Sequence, residues 1–354
     1  MQRALYLATL GRGLVEPNPM VGAVIARGRT IIAEGYHAAY GDHHAEIVAL
    51  ARAGDRAAGA DLHVTLEPCA TQGKTPPCTL AIARARVARV IIATGDPSAR
   101  NGGQGLEFLA RAGIPTQVGV EQSAALDVVA GFTRYQTLSR PHVILKWAMT
   151  WDGKIASHTG DSRWISSEPS RAFVHRERSL ADAVLVGVGT VERDDPELTC
   201  RLVAGRNPVR VVLDPDLKTP PRSACVRTAA AVPTWIYTCR ALPHDLPRDV
   251  RVVCCPGGRA DLLLFTLGDL RARGVHRLLV EGGARTFASF LEARVADQVV
   301  AVVAPKLLGG ARAPTPFAGT GFERIADALS LEHVQVQMLA DDLVLRGFVR
   351  APPA

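Results

Sequence analysis

The sequence predicts an α/β protein of two layered domains, and three observations support this. The chain has 354 residues, enough for two domains that each bury a core. Hydrophobic residues make up 47% and charged residues 21%, the balance of a folded chain and far from that of disorder. Strand-length apolar runs alternate with helix-period segments along the whole length, the rhythm of a layered α/β architecture.

In chain order, the pattern predicts a helix over Gln2–Leu10, strands at Val21–Ile25 and Ile31–Gly35, and a helix over His44–Ala53. A strand at Asp61–Leu66, a helix over Cys78–Ala85 and the apolar run Val87–Ala93 come next. A helix over Gly105–Ala112, a short strand at Thr116–Gly119 and a helix over Ser123–Ala130 complete the first half. The segment Gly131–Pro141 is polar and ends in Ser139-Arg140-Pro141, so a boundary is expected near residue 140, with domains 1–140 and 141–354. Beyond it, strands are expected at His142–Trp147, Ala183–Val188, Pro208–Asp214, Thr234–Thr238, Val250–Cys254, Arg277–Val280 and Gln298–Val303. Helices are expected over Ser167–Arg178, Asp261–Arg273 and Ala284–Ala293. A closing hairpin, His333–Leu339 returning through Leu343–Val349, makes the second sheet mixed.

The formal charge of +7 raises the question of a nucleic-acid partner. The cations are mainly arginines spread singly, with 4 Trp, 5 Tyr and 9 Phe, so no stacking platform is legible and a small phosphorylated ligand suits the charge. Met1–Leu10 lacks the apolar core and cleavage site of a signal peptide, and runs such as Val299–Ala304 are too short to cross a bilayer. Seven cysteines, an odd number spread over a long chain, argue against a disulfide framework and for a reducing, cytoplasmic setting. Cys200, Cys225, Cys239, Cys254 and Cys255 read as buried or incidental thiols.

The remaining two cysteines belong to a metal pattern. His44-Ala45-Glu46 opens a helix, and Pro68-Cys69 and Cys78 supply two thiols in a loop that ends at another helix start. One imidazole and two thiolates are the ligands of a catalytic zinc that keeps a position open to water. Such a zinc lowers the pKa of bound water to roughly 7. Glu46, two residues past His44, reaches that water without ligating the metal, which suits general acid and base work in hydrolytic deamination. A structural zinc needs a fourth protein ligand, and no convincing one is found.

The common deaminase spacing is Pro-Cys-x-x-Cys, whereas here eight residues separate Cys69 from Cys78. That long loop, with Pro17-Asn18-Pro19-Met20-Val21-Gly22, His44-Ala45-Glu46 and Gly103-Gln104-Gly105, resembles the deaminase half of the bifunctional riboflavin-biosynthesis deaminase/reductase family. The resemblance implies a cytidine-deaminase-like three-layer domain and places Asn18 in the substrate pocket. Two departures bear on the substrate: Ala70-Thr71-Gln72-Gly73 replaces the family's Ser-His-x-Gly, and Asp96-Pro97-Ser98-Ala99 replaces Asp-Pro-Asn-Pro. Met1 falls inside the family's usual first helix, so a longer N-terminus is expected.

In the second half, Lys146–Ala156, Ser162–Ser166, Gly187–Val191, Asp194–Thr199, Val280-Glu281-Gly282-Gly283 and Ala304–Gly310 form an ordered set. Alone, the glycine pair is a tight strand-to-helix turn or a diphosphate cradle. The set as a whole resembles the reductase domain of the same family, which is similar in fold to dihydrofolate reductase. By that resemblance NADPH contacts Ala148, Trp164, Thr190, Asp194 and Gly283, and substrate contacts Ser162, Arg178, Leu198, Arg201 and Glu281. The guanidinium forks of Arg178 and Arg201 also suit a ribose phosphate on their own chemistry. Pro215 stands where the family often has Ser, which removes one cofactor hydrogen bond, and Lys146 is a candidate electrostatic or proton-donating partner.

The resemblance therefore implies deamination of 2,5-diamino-6-ribosylamino-4(3H)-pyrimidinone 5′-phosphate, then NADPH-dependent reduction of its ribosyl group to ribityl. It implies one zinc and one NADPH per chain, a small phosphorylated pyrimidine as substrate, no nucleic acid and no membrane, and it is compatible with a homo-oligomer. Two other readings stand beside it. One is a single-function reductase whose deaminase domain has degenerated or been redirected, and the other is an RNA base deaminase.

Overall fold

The computed structural model describes all residues except 13, 16, 17, 74, 75, 139, 241–244 and 351–354, and only the backbone of 134 and 135. Pro17 of the Pro-Asn-Pro phrase, Lys74 and Thr75 of the cysteine loop, and Ser139 of the boundary phrase thus lie outside the described residues. The chain divides into two compact units, Met1–Ser139 and Arg140–Ala354.

The first unit runs α1 (Gln2–Thr9), β1 (Gly22–Arg27), β2 (Thr30–Tyr36), α2 (Ala45–Ala53), β3 (Asp61–Leu66), α3 (Cys78–Ala85), β4 (Arg89–Thr94), α4 (Gln104–Arg111), β5 (Thr116–Val118) and α5 (Gln122–Thr137). Its five strands are ordered β2-β1-β3-β4-β5, with β1 antiparallel to both neighbours and β3, β4 and β5 parallel. Ile25, Leu62, Val64, Ile82, Ile92 and Leu109 form the centre of its core. Each such side chain contributes about 1.5–3 kcal/mol by leaving water.

Two glycines set the depth of helices over this sheet. A Cβ at Gly35 of β2 would lie 2.3 Å from the Ala45 carbonyl oxygen, and one at Gly22 of β1 would lie 2.0 Å from that of Ala4. The bare backbone lets α2, whose inward face is Ala45, Glu46, Ala49, Leu50 and Ala53, rest directly on the strand. That close approach fixes how far His44 and Glu46 reach toward the ends of β3 and β4.

The segment Gly131–Pro141, expected to be a polar connection, is helical through Thr137. Gly131 costs about 1 kcal/mol within a helix, but Ala125 and Val129 are buried and no proline intervenes before Pro141, so packing carries α5 past it.

The second unit runs β6 (His142–Thr150), α6 (Glu168–Ser179), β7 (Ala183–Gly187), α7 (Val188–Asp194), β8 (Val209–Leu213), α8 (Ala224–Arg227), β9 (Thr234–Thr238), β10 (Val250–Cys254), α9 (Leu262–Ala272), β11 (Arg277–Val280), α10 (Ala284–Glu292), β12 (Gln298–Ala304), β13 (Leu331–Leu339) and β14 (Asp342–Val349). The sheet order is β10-β9-β8-β7-β11-β6-β12-β14-β13, parallel as far as β12 and antiparallel through the closing hairpin. Val188, expected to end a strand, instead starts α7: Gly187 is its extended N-cap, and the turn carries Thr190 and Asp194 onto a helix.

The β6–β11 pairing stops at Leu145 opposite Val280, so Lys146 to Thr150 project beyond the end of β11. The turn from β11 into α10 is constrained by packing. A Cβ at Gly282 would lie 2.8 Å from Cβ and 2.9 Å from Cα of Val186 in β7, and Gly283 has φ +64°. No helix among the described residues is long and apolar enough to cross a membrane.

Gly282→Ala is expected to destabilise the protein by about 1–3 kcal/mol through overpacking against β7. Urea unfolding followed in the second unit checks this, and an unchanged midpoint would show that the strand yields freely.

Candidate active sites

In the first unit the functional side chains gather beyond the carboxyl ends of β3 and β4, where open α/β sheets bind ligands. His44 precedes α2, Cys69 lies past the end of β3 and Cys78 is the first residue of α3. Their ligand atoms all lie within 4.8 Å of one another. His44 Nδ1 is 3.2 Å from Cys78 Sγ and 3.5 Å from Cys69 Sγ. A tetrahedral zinc with its usual bond lengths separates a nitrogen and a sulfur ligand by roughly 3.5 Å, so the donor set fits that ion.

The sulfurs are arranged unequally. Hydrogen bonds from the Cys78 thiol, His44 and the Cys78 amide hold the Cys69 thiol well below its usual range, at about 4, while the same partnership and burial push Cys78 up. Glu46 is 3% exposed, and burial pushes its carboxyl up to about 7 against the pull of His44.

A cavity of about 100 Å³ adjoins this cluster, lined by Asn18, His37, His44, Glu46, Cys69 and Asp96 among others. Sequence reasoning missed His37, which looks like an isolated histidine after a strand. Its Nδ1 lies 3.1 Å from the His43 carbonyl oxygen and its Nε2 lies 3.1 Å from Asn18 Nδ2. A carbonyl only accepts, so Nδ1 donates and Nε2 accepts from the Asn18 amide, which fixes the orientation of Asn18. Burial lowers the pKa of His37, in keeping with a neutral ring.

Sequence reasoning also missed Glu67. This buried carboxylate accepts the amides of Asp96 and Gly103 on one oxygen, each at 3.1 Å, and those of Gly105 and Leu106 on the other, at 2.9 and 3.2 Å. Asn101 extends the tie, accepting the Ala70 amide at 2.8 Å and donating to Asp96 at 3.0 Å. A Cβ at Gly105 would fall 2.1 Å from the Pro68 carbonyl oxygen, so the loop beside Cys69 and the start of α4 are pressed together.

In the second unit a cavity of about 380 Å³ brings together Ala148, Ser162, Trp164, Arg178 and Arg201 from the expected set, with Lys146, Arg171 and His175 beside them. Glu281 lies behind the lining, accepting from Arg178 Nε at 2.5 Å and Nη2 at 2.9 Å. Leu198 is 2% exposed and packs with Val184, Val186 and Val212, so its side chain belongs to the core and not to the cavity. Its positive φ of 55° turns the chain so that the Thr199 carbonyl accepts from Arg178 Nη1 at 3.0 Å. Burial and Arg178 depress the pKa of Lys146, opposed by Glu281.

Thr190 and Gly283 form a second group: Thr190 Oγ1 lies 3.3 Å from where a Gly283 Cβ would stand. The Asp194 carbonyl accepts from the Arg163 guanidinium. Trp164 is 59% exposed, with the Arg171 guanidinium 4.7 Å from its ring centroid. Asp152 ties the end of this region down, accepting from Thr150 Oγ1 at 2.6 Å and from the amides of Leu308 and Gly309 at 3.1 and 2.7 Å.

Comparison with known proteins gives the family to which both units are similar. The model of the cytidine and deoxycytidylate deaminase zinc-binding region matches residues 1–94, and that of the RibD C-terminal domain matches residues 141–345. The riboflavin biosynthesis protein RibD of Aquifex aeolicus is 42% identical over 98% of this chain and 96% of its own. The chain belongs to the RibD family.

The RibD of Bacillus amyloliquefaciens is 40% identical over 98% of this chain and 94% of its own. Among solved structures, the Thermotoga maritima deaminase/reductase superposes with a TM-score of 0.86 at 36% identity, covering 99% of this chain and 97% of that one. RibD of Acinetobacter baumannii gives 0.82 at 32% identity, covering 99% and 98%. The protein is accordingly a RibD-type deaminase/reductase of riboflavin biosynthesis. The match spans both halves, so a reductase acting alone is not favoured.

The three hydrogen bonds to Asp152 hold its carboxyl at about 2, below an unfolded value of about 3.9. A depressed folded pKa contributes stability that is complete above about pH 4 and is lost as pH falls toward 2. Asp152→Asn is expected to flatten the acid-side loss of thermal stability between about pH 4 and 2, read from melting temperatures. An unchanged slope would assign that loss to other carboxylates.

Proposed function

We propose that residues 1–140 are a zinc-dependent pyrimidine deaminase and residues 141–354 an NADPH-dependent reductase, acting in succession on one phosphorylated substrate. The Thermotoga maritima relative is described as a diaminohydroxyphosphoribosylaminopyrimidine deaminase and 5-amino-6-(5-phosphoribosylamino)uracil reductase. We carry both reactions to this chain. The observation that supports the first most directly is the convergence of His44, Cys69 and Cys78 at a cavity that the Glu46 carboxyl also lines.

His44, Cys69 and Cys78 would hold a zinc ion, which would supply the Lewis acidity that makes water a nucleophile at neutral pH. Glu46 takes the proton from that water, passes it to the ring nitrogen beside the carbon under attack, and gives a proton to the departing amine. The carbon–nitrogen bond breaks, ammonia leaves and the ring gains a carbonyl. Asn18, oriented by His37, presents its remaining amide groups to the pyrimidine.

In the reductase, NADPH, where bound, would supply the hydride equivalent for reducing C1 of the ribosyl group, in its opened imine form, to a ribityl chain. Gly283, at the start of α10, leaves room for the cofactor's diphosphate against backbone amides, since α10 has no side-chain cap. Thr190, Asp194, Trp164 and Ala148 complete its seat. Arg178 and Arg201 take the ribose phosphate, Ser162 and the Leu198 backbone border the substrate, and Glu281 keeps Arg178 in position. Lys146 lines the same cavity and would stabilise, or deliver a proton to, the reacting nitrogen. A small phosphorylated substrate and seven free thiols suit a cytoplasmic enzyme.

Glu46→Gln is expected to lower deamination by roughly 10²–10⁴-fold while NADPH-dependent reduction of supplied deaminated substrate continues. Separate assays of the two half-reactions check this, and undiminished deamination would remove the carboxylate from the mechanism. Metal analysis is expected to find one zinc per chain, lost in His44→Ala, with the reductase half-reaction intact. Zinc retained in that variant would move the ligand set elsewhere.

A further inference from the structure

The α6 helix presents Arg171, Val174, His175 and Arg178 to the larger cavity, at the three- and four-residue spacing that makes one helical face. The buried Glu177 anchors that helix, accepting from Arg277 at 3.0 Å and from Arg346 at 2.6 Å. The cationic members of the face differ in what they have left for a ligand. Arg178 gives Nε and Nη2 to Glu281 and Nη1 to the Thr199 carbonyl, so its charge is balanced and three of its donors are engaged. Arg201, across the cavity, is half exposed and pairs loosely with Glu197 at 3.6 Å.

His175 stands among them with a donor to spare. It is 5% exposed, and its Nδ1 accepts the Leu202 amide proton at 3.4 Å. A neutral ring whose Nδ1 accepts must carry its proton on Nε2. Burial, with Arg178, Arg201 and Lys146 nearby and only Glu281 opposing, pushes the ring down to about 4, so it is neutral at physiological pH. Nε2 has no protein partner among the described residues, is not one of the buried unpartnered atoms, and belongs to a cavity-lining side chain.

We propose that His175 is a further substrate-binding residue of the reductase, donating from Nε2–H to a phosphate oxygen beside Arg178 and Arg201. The inference rests on the reading that those two arginines take the ribose phosphate. A neutral donor complements them because it adds a hydrogen bond to the anion without placing another full charge in a crowded cationic site. A hydrogen bond to a charged group of this kind changes affinity roughly 10- to 100-fold.

The test compares kcat/KM for 5-amino-6-(5-phosphoribosylamino)uracil and for its dephosphorylated counterpart, the ratio being the preference for phosphate. His175→Ala is expected to lower that ratio roughly 10- to 100-fold, through KM for the phosphorylated compound. His175→Gln places an amide nitrogen near the position of Nε2 and is expected to restore most of the preference. His175→Asn places an amide oxygen near the position of Nδ1, keeps the Leu202 contact and is expected not to. Rescue by Asn but not Gln would overturn the proposal, since the residue would then act only by holding Leu202. An unchanged ratio in His175→Ala would also overturn it, provided that Arg201→Ala collapses the preference. A preference that survives both variants would overturn the reading of the cavity as a phosphate site, and the inference with it.

Discussion

A carboxylate withdrawn from water must find donors for its oxygens or lose its charge, and the loops around both candidate sites are organised by meeting that demand. Glu67 does so by collecting four backbone amides, two from the β4–α4 connection and two from the first turn of α4. It sits two residues before Cys69, so the same contacts that keep its charge solvated also clamp the cysteine loop to the end of β4. Glu281 repeats the device in the second unit, satisfied by a guanidinium, while the half-buried Asp152 ties its own loop through a hydroxyl and two amides. Chemistry at these sites depends on loops that would otherwise have no regular structure to hold them.

Small residues supply the other half of the architecture. Gly35 lowers α2 onto β2, Gly105 brings α4 against Pro68, and Gly282 lets the chain pass Val186 at the end of β11. Each site therefore sits where a helix start approaches a strand end more closely than a side chain would allow. Carboxylates fix the loops laterally and glycines fix the helices in depth.

Much of this was legible in the sequence, for identifiable reasons. Strands such as Thr234–Thr238 and Arg277–Val280 are short apolar runs between turn residues, and their limits in the structure are those the pattern implies. His44, Glu46, Cys69 and Cys78 stood out because their chemistry demands a recognisable order along the chain, and the structure brings them together. The features that stayed hidden depend on partners distant in sequence. Glu67 looks like any acid in a turn until Gly103 to Leu106 fold over it, and His37 gains meaning only from Asn18 and His43. The continuation of α5 through Gly131 was missed because local propensity was outweighed by burial of Ala125 and Val129. Leu198 could be placed by likeness, but its turning inward results from a backbone angle that no pattern of residue types announces.

The pairing of Arg178 with Glu281 has a consequence for how the larger cavity discriminates. A guanidinium already neutralised by its neighbour exerts little long-range pull, so it does not gather anions indiscriminately from solution. Its orientation, by contrast, is fixed before anything arrives. Field strength has been exchanged for direction: an acceptor must meet the remaining N–H bonds where Glu281 and the Thr199 carbonyl hold them.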